Sequence, residues 1–139
     1  MEIQWRCVPG YDYLMVSETG DFKTKDRVVR YSAGNQVRER YFKGTILHPT
    51  LNSNGYRVIS SSRTEGRKQL YCHILVAMAF PDICGKWFDG CVVDHIDTVR
   101  DNDNANNLRV CTTSQNIANP LSMAKRKRDK AGRFAYVCL

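Results

Sequence analysis

The sequence lacks any long hydrophobic run. Its longest apolar stretch, from Ile74 to Phe80, is far shorter than the ~20 residues that a membrane-spanning helix needs. The N-terminus also lacks the basic start and hydrophobic segment of a secretion signal. We therefore expect a soluble protein of the cytoplasm with no membrane partner.

No cysteine pair has the Cys-x-x-Cys spacing of a zinc ribbon. Without a secretion signal, scattered cysteines do not indicate a disulfide framework. We expect the thiols to be reduced and mostly buried. The cysteines are Cys7, Cys72, Cys84, Cys91, Cys111 and Cys138.

Acidic residues are scarce relative to basic ones. The chain has 14 Asp and Glu against 21 Lys and Arg, and the net charge of +7 favours a polyanionic partner. Charge alone does not choose among DNA, RNA and an anionic membrane. We expect two basic segments to contact a phosphate backbone, although a solvated tail is the alternative for the second. Their residues are Arg27, Arg30, Arg38, Arg40 and Lys43 in the first, and Lys125, Arg126, Lys127 and Arg128 in the second.

The first part of the chain predicts short strands. Tyr11 to Ser17 is aromatic and apolar and precedes the turn-forming Glu18 to Asp21, so we expect a hairpin that returns at Phe22. Asp26 to Lys43 is charged and shows no clear pattern apart from a loop at Gly34-Asn35.

A second strand pair is predicted further along. Thr45 to Leu47 and Tyr56 to Ile59 flank Asn52 to Gly55, and Asn-Gly tolerates the positive φ values of a tight turn. Leu70 to Cys72 predicts another strand. His73 to Phe80 predicts a buried helix, because it is apolar on nearly every side and Pro81 follows it.

The second half predicts a strand, a loop, a strand and a helix. Gly90 to Val93 is a short β-branched strand that ends at Asp94, and the polar stretch Asp97 to Asn106 predicts the loop. Leu108 to Cys111 predicts the returning strand. Thr112 to Ser114 offers hydroxyl caps for the helix, and Phe134 to Leu139 forms a last strand or stays loose.

Residue types suited to metal-dependent hydrolysis follow the first of these strands. A hard divalent cation prefers oxygen ligands, which Asp94 and Asn116 offer. His95 suits the role of base, since an ordinary histidine pKa of ~6.5 leaves the neutral form available near pH 7. Asn106 and Asn107 could orient His95. The ordinary alternatives are a loop carboxylate, a structural histidine, Asx turns and a surface amide.

The order and spacing of these residues resemble the HNH endonucleases with a ββα-metal site, in the variant whose last motif position is asparagine. The motif, similar to that of phage intron-encoded homing endonucleases, comprises Val92 to Asp97, Asn102, Asn107 to Val110, and Asn116. The segments that resemble the N-terminal module often fused to such nucleases are Trp5, Val8 to Tyr11, Val16-Ser17, Thr19-Gly20 and Asn54 to Tyr56.

This resemblance implies a site and an activity. His95 is then the general base, Asp94 and Asn116 bind Mg²⁺ or Mn²⁺, and Asn107 supports the loop and the histidine, while His73 has a structural role. The implied reaction is hydrolysis of double-stranded DNA by a nicking or homing-type enzyme of phage or mobile-element origin. We expect a monomer or weak dimer with no small-molecule cofactor.

The resemblance also implies an α+β fold, in which a small N-terminal antiparallel β module precedes the ββα-metal nuclease motif. We divide the chain into residues 1–70, 71–120 and a basic tail at 121–139. Two positions depart from the family pattern: Thr98 replaces a glycine, and Asp103 replaces a common second asparagine. These departures concern the loop between the strands.

Two other functions are compatible with the sequence. One is a non-catalytic DNA-binding protein that keeps the HNH fold, although the intact Asp94, His95 and Asn116 argue against it. The other is a zinc-stabilised regulatory protein built on the cysteines and His73.

Overall fold

The architecture is α+β, with small antiparallel sheets around one helix. The computed structural model describes residues 2–60, 68–128 and 134–136, and of residues 125–128 and 134–136 the backbone alone. The strands are β1 (Trp5–Val8), β2 (Tyr11–Ser17), β3 (Phe22–Thr24), β4 (Arg27–Ala33), β5 (Gln36–Phe42), β6 (Ile46–Leu47), β7 (Thr50–Leu51), β8 (Arg57–Ser60), β9 (Gln69–Tyr71), β10 (Val92–His95), β11 (Leu108–Cys111), β12 (Arg126–Arg128) and β13 (Phe134–Tyr136). The helices are α1 (Cys72–Ala79), α2 (Pro81–Cys84), α3 (Thr113–Ile117) and α4 (Pro120–Lys125), with a 3-10 turn at Ala105–Asn107.

The first hairpin is confirmed. β2 pairs with β3 in antiparallel register, with Val16 opposite Phe22. β1 and β6 complete a four-stranded sheet in the order β1-β2-β3-β6. The inner face of this sheet carries buried Leu14, Val16 and Phe22, so it packs into the core.

The predicted pairing of Thr45 to Leu47 with Tyr56 to Ile59 is wrong. β6 pairs with β3 instead, and β8 lies between β7 and β9. The reason lies in the turn, where the Asn52 side chain accepts hydrogen bonds from the amides of Asn54 and Tyr56, at 3.0 Å each. This turn folds β8 back onto β7, the strand that immediately precedes it.

The unassigned basic segment forms a long hairpin. β4 pairs with β5 along its whole length, and the turn lies at Gly34-Asn35 as predicted. Large side chains such as Val28, Val37 and Tyr41 are exposed. Because neither face of this ribbon is fully buried, its sequence has no apolar and polar alternation to reveal it.

The strand, loop, strand and helix of the second half are confirmed. β10 and β11 pair with His95 opposite Leu108, and α3 begins with a capping box between Thr112 and Gln115. α1 begins one residue earlier than predicted. Of the predicted last strand, Phe134–Tyr136 is a strand paired with β12, whereas residues 137–139 and the basic stretch 129–133 lie outside the described residues.

One core joins the two halves of the chain. α1 contacts β1, β2, β8 and β9 on one side and β10 and β11 on the other. Val16 and Phe22 from the N-terminal sheet share a buried cluster with Val76, Phe80 and Leu108. The division of the chain between residues 70 and 71 stays a prediction. Helix α1 packs against strands from both halves.

The described cysteines are free thiols. Cys72, Cys84 and Cys111 are buried, Cys91 is half-buried and Cys7 is exposed, while Cys138 lies outside the described residues. Within residues 2–60, 68–128 and 134–136, no helix has the length and apolarity needed to cross a membrane.

Candidate active site and family

The end of β10 directs two titratable side chains to opposite sides of a two-stranded sheet. Asp94 and His95 are consecutive, and neighbouring strand residues face opposite ways. Both are buried, with relative exposures of 5% and 7%. Asp94 faces the segment after α3, whereas His95 faces the loop and α1.

His95 is held by a buried carboxylate. Its Nε2 lies 2.9 Å from Oδ1 of Asp103, whose side chain has no solvent exposure. Oδ2 of Asp103 accepts a hydrogen bond from Nη1 of Arg57 at 3.3 Å. Because an ionised carboxylate can only accept, we assign the proton to Nε2 of His95, which leaves the lone pair on Nδ1.

A second histidine packs against the first. The ring centroids of His73 and His95 are 4.9 Å apart, and the Tyr56 ring lies 5.2 Å from His73 and 6.1 Å from His95. Burial lowers the pKa of His73 to about 4, and the neighbouring His95 acts in the same direction. His73 is therefore neutral at physiological pH, and its Nδ1 is buried with no hydrogen-bond partner among the described residues.

Asp94 is bound by an arginine and an asparagine. Arg109 Nη2 donates to Oδ2 of Asp94 at 2.7 Å, and Asn119 Nδ2 donates to the same oxygen at 3.0 Å. Among the described residues, no side chain or amide donates a hydrogen bond to Oδ1 of Asp94, so this oxygen keeps its capacity to accept. Asn116 is half-buried on α3, one turn before Asn119. The assignment of Asp94 and Asn116 as metal ligands stays a prediction.

Asn107 organises the loop between the strands. Its Nδ2 donates to Oδ1 of Asp97 and to the backbone oxygen of Asn102, at 2.9 Å each. Its own backbone oxygen accepts from the amide of Ile96, next to His95, at 2.8 Å. Burial raises the pKa of Asp97, but hydrogen bonds led by that of Asn102 outweigh it, and the net shift is downward. Asp97 therefore stays ionised and holds the loop.

Contacts from the N-terminal module fix the same loop. The amide of Ala105 donates to the backbone oxygen of Glu18 at 2.8 Å, and Arg100 Nη1 donates to that of Asn54 at 2.7 Å. At Gly20, with φ +87°, an added Cβ would lie 2.9 Å from the backbone oxygen of Asp103. The loop that carries Asp103 therefore packs directly against the N-terminal module.

Sequence reasoning missed several residues of this site. Arg57 and Asn119 carry no motif, and they reach the site across 46 and 25 positions of the chain. Asp103 is visible in the sequence as a departure from the family pattern, in which asparagine is common at this position. An acidic residue at that position could have indicated a partner for the nearby histidine.

Comparison with known proteins identifies the two halves. The HNH endonuclease family model matches residues 70–118, and the NUMOD4 motif matches residues 4–62. The first match contains the strand, loop, strand and helix that hold Asp94, His95 and Asn116. The region that holds the candidate site thus matches the HNH endonuclease family.

Relatives match this chain along much of its length. DNA endonuclease I-HmuI of Bacillus phage SP01 is 29% identical over 136 residues, which cover 97% of this chain and 67% of the relative. An uncharacterized HNH endonuclease of Acanthamoeba polyphaga mimivirus is 35% identical over 71 residues, covering 51% and 21%. The solved structure of I-HmuI, an HNH homing endonuclease that binds and cleaves DNA, matches with a TM-score of 0.65 at 28% identity, over 92% of this chain and 63% of that one. The chain thus spans about two thirds of I-HmuI.

Four of the predicted basic residues lie on the β4-β5 ribbon, and they fall on its two faces. Cross-strand pairing puts Arg27, Arg38 and Arg40 on one face together with Tyr31 and Phe42. The guanidinium groups of Arg27 and Arg40 lie 5.3 and 5.0 Å from the Phe42 ring.

On the other face of the ribbon, the positive charge of arginine is paired with a negative charge. Arg30 is paired with Glu39, its cross-strand partner, at 2.7 Å. Lys43 follows the ribbon and is exposed. For Lys125, Arg126, Lys127 and Arg128 the structure describes the backbone alone, so their predicted contact with phosphates stays a prediction.

Proposed function

We propose that this protein is an HNH endonuclease that hydrolyses phosphodiester bonds of double-stranded DNA with Mg²⁺ or Mn²⁺. The observation that carries the proposal is the buried His95-Asp103 pair at the end of β10, where Asp94 precedes His95 on the strand. The phage relative I-HmuI, a DNA endonuclease that binds and cleaves DNA, supports DNA as the substrate.

His95 acts as the general base. Its Nε2 proton is donated to Asp103, so Nδ1 is left to take a proton from the attacking water. Asp103 is a positioning residue, since it fixes the orientation and tautomer of His95. Arg57 holds the second oxygen of this carboxylate at 3.3 Å. Asn107 holds the loop through Asp97 and Ile96.

Asp94 and Asn116 would hold the divalent cation. Carboxylate and amide oxygens are the donors that Mg²⁺ and Mn²⁺ prefer, and Oδ1 of Asp94 is the oxygen left open by Arg109 and Asn119. When bound, such an ion neutralises charge on the scissile phosphate and on the leaving oxygen.

The basic face of the β4-β5 ribbon binds the DNA backbone. Arg38 and Arg40 are exposed on it, and Tyr31 and Phe42 lie between the charges. A two-stranded ribbon fits a DNA groove, and arginines that contact phosphates make affinity depend on salt. The basic segment Lys125 to Arg128 would supply further phosphate contacts.

A single site of this kind cuts one strand per encounter. For a monomer or weak dimer the product is therefore nicked DNA, consistent with a nicking or homing-type enzyme.

The test uses supercoiled plasmid, purified protein and Mg²⁺ or Mn²⁺. We expect nicked circles that disappear with EDTA and with His95→Ala. The matched control is His48→Gln, a histidine outside the site, which should nick like the wild type. DNA binding without cleavage under either metal would instead support a non-catalytic protein. Undiminished cutting by His95→Ala would exclude His95 as the base.

A further inference from the structure

Three metal-ligating side chains from separate elements converge beside the proposed catalytic base. His73 lies in the first turn of α1, His95 at the end of β10 and Asp103 in the loop between β10 and β11. One ligand atom from each lies within 4.8 Å of the other two, and all three residues are buried. Asp94 does not belong to this cluster.

The donor set selects a class of ion. Two imidazole nitrogens and one carboxylate oxygen suit Zn²⁺, Co²⁺ or Ni²⁺, whereas Mg²⁺ prefers oxygen ligands alone. Three protein ligands also leave a fourth position for water, as in open zinc sites.

The cluster also contains a polar atom that lacks a partner. Nδ1 of His73 is buried and has no hydrogen bond from the described residues, although buried polar groups are nearly always satisfied. An ion bound at Nδ1 would give this nitrogen the partner that it lacks.

The three ligand atoms lie within 4.8 Å of one another and would have to draw closer to hold one ion. Around a tetrahedral ion with bonds of about 2.1 Å, neighbouring ligand atoms are about 3.4 Å apart, and Nε2 of His95 already lies 2.9 Å from Oδ1 of Asp103. Arg57 occupies the other carboxylate oxygen at 3.3 Å, so Asp103 would bind through one oxygen.

We propose that His73, His95 and Asp103 bind one first-row transition-metal ion such as Zn²⁺, and that this ion switches off His95 as a base. The second half of this statement rests on the proposed nuclease function. An ion bound to Nε2 of His95 takes the place of the Nε2 proton that is otherwise donated to Asp103. The neutral imidazole then carries its proton on Nδ1, the atom that must accept a proton from water. No proton is gained or lost overall, since it moves through solvent from one ring nitrogen to the other.

The binding test uses Co²⁺ as a visible probe and Zn²⁺ as its competitor. We expect the full chain to bind one Co²⁺ with d–d absorption, and Zn²⁺ to displace it. His73→Gln and Asp103→Asn should each weaken binding by at least ~10–100-fold, the cost of losing even an outer-shell partner of a metal site. His48→Gln should bind like the wild type, and thermal unfolding of each variant shows whether it is folded.

The activity test compares nicking in Mg²⁺ with and without added Zn²⁺. We expect Zn²⁺ to inhibit the wild type and His48→Gln, and the nicking that remains in His73→Gln to be insensitive to Zn²⁺.

Distinct results overturn each part. Absence of stoichiometric Co²⁺ and Zn²⁺ binding by the folded wild type would overturn the site. Undiminished binding by both His73→Gln and Asp103→Asn would overturn it too, because the ion would then be bound elsewhere. Equal Zn²⁺ inhibition of the wild type and His73→Gln would overturn the switch. No nicking in Mg²⁺ by a wild type that binds Co²⁺ would contradict the nuclease function and the switch with it, while supporting the site.

Discussion

At the scale of residues, Asp103 distinguishes this site from its family pattern. Its carboxylate has no solvent exposure, yet both oxygens are satisfied, one by His95 and one by Arg57. An asparagine at this position would offer one acceptor and one donor group, and could not balance the charge of Arg57. We therefore expect Asp103 to hold His95 more firmly than an asparagine at this position would.

Replacing Asp103 by asparagine tests this positioning role. We expect kcat for nicking to fall by ~10–100-fold, the range typical of groups that orient a histidine. KM for DNA should stay within about twofold, because Asp103 is buried and reaches DNA only through His95. Steady-state kinetics on a nicking substrate measure both values. A rise in KM with unchanged kcat would instead indicate a structural role.

Thr98 carries the second departure from the family pattern. Among the described residues, Thr98 is the one non-glycine residue with a positive φ, at +64°. This conformation costs a β-branched residue about 1–2 kcal/mol. The backbone therefore keeps the shape that a glycine at this position would favour.

Thr98→Gly should raise the free energy of unfolding. Relief of the strain at positive φ should exceed the entropic cost of glycine. We therefore expect the free energy of unfolding to rise by about 0.5–1 kcal/mol, as measured by urea denaturation. Thr50→Gly in exposed strand β7 is the control and should lower stability. A loss at Thr98 as large as that at Thr50 would contradict strain at this residue.

At the scale of elements, the β4-β5 ribbon separates its charges by face. Arg38 and Arg40 share a face with Tyr31, whereas Arg30 on the other face is neutralised by Glu39. Only the first face presents unbalanced positive charge next to aromatic rings.

Double substitution of Arg38 and Arg40 by alanine should weaken DNA binding and its dependence on salt. Losing two phosphate contacts should reduce the slope of log K against log salt by about 2, as measured by fluorescence anisotropy across a salt series. Arg30→Ala is the matched control and should leave the slope unchanged. Equal effects of the two variants would contradict the assignment of the binding face.

At the scale of the whole molecule, the N-terminal module contributes side chains to the candidate active site. It supplies Arg57 to Asp103 and Tyr56 to the histidine rings, and Glu18 anchors the loop. The β1-β2-β3-β6 sheet and the HNH half also share the core around α1. Damage to the module should therefore impair catalysis as well as DNA binding.

Gly20 tests this dependence. Gly20→Ala places a Cβ 2.9 Å from the backbone of Asp103, whereas Gly10→Ala has a similar φ of +82° and no atom within 4 Å. We expect Gly20→Ala to lose about 1–3 kcal/mol more stability than Gly10→Ala, the usual cost of overpacking, and to nick more slowly. Denaturation and nicking rates of the two variants check this. Equal losses would show that the two modules do not meet at this point.

The sequence predicted the parts of this molecule that depend on local patterns. The β10-β11 hairpin, the Thr112 cap and the positions of Asp94 and His95 follow from alternation, turn residues and motif spacing. The pairing of β6 with β3, the contact of Arg57 with Asp103 and the bond of Asn119 to Asp94 are long-range. They depend on how already formed pieces dock, and no local pattern encodes that docking.

The central claim is that His95, held by Asp103, is the base of a DNA-cleaving reaction. Single-turnover cleavage of a labelled DNA duplex in Mg²⁺, with enzyme in excess, tests it most directly. We predict that His95→Ala binds the duplex like the wild type but cleaves it ~10²–10⁴-fold more slowly, the usual contribution of a general base. A His95→Ala rate within about tenfold of the wild-type rate would contradict the claim.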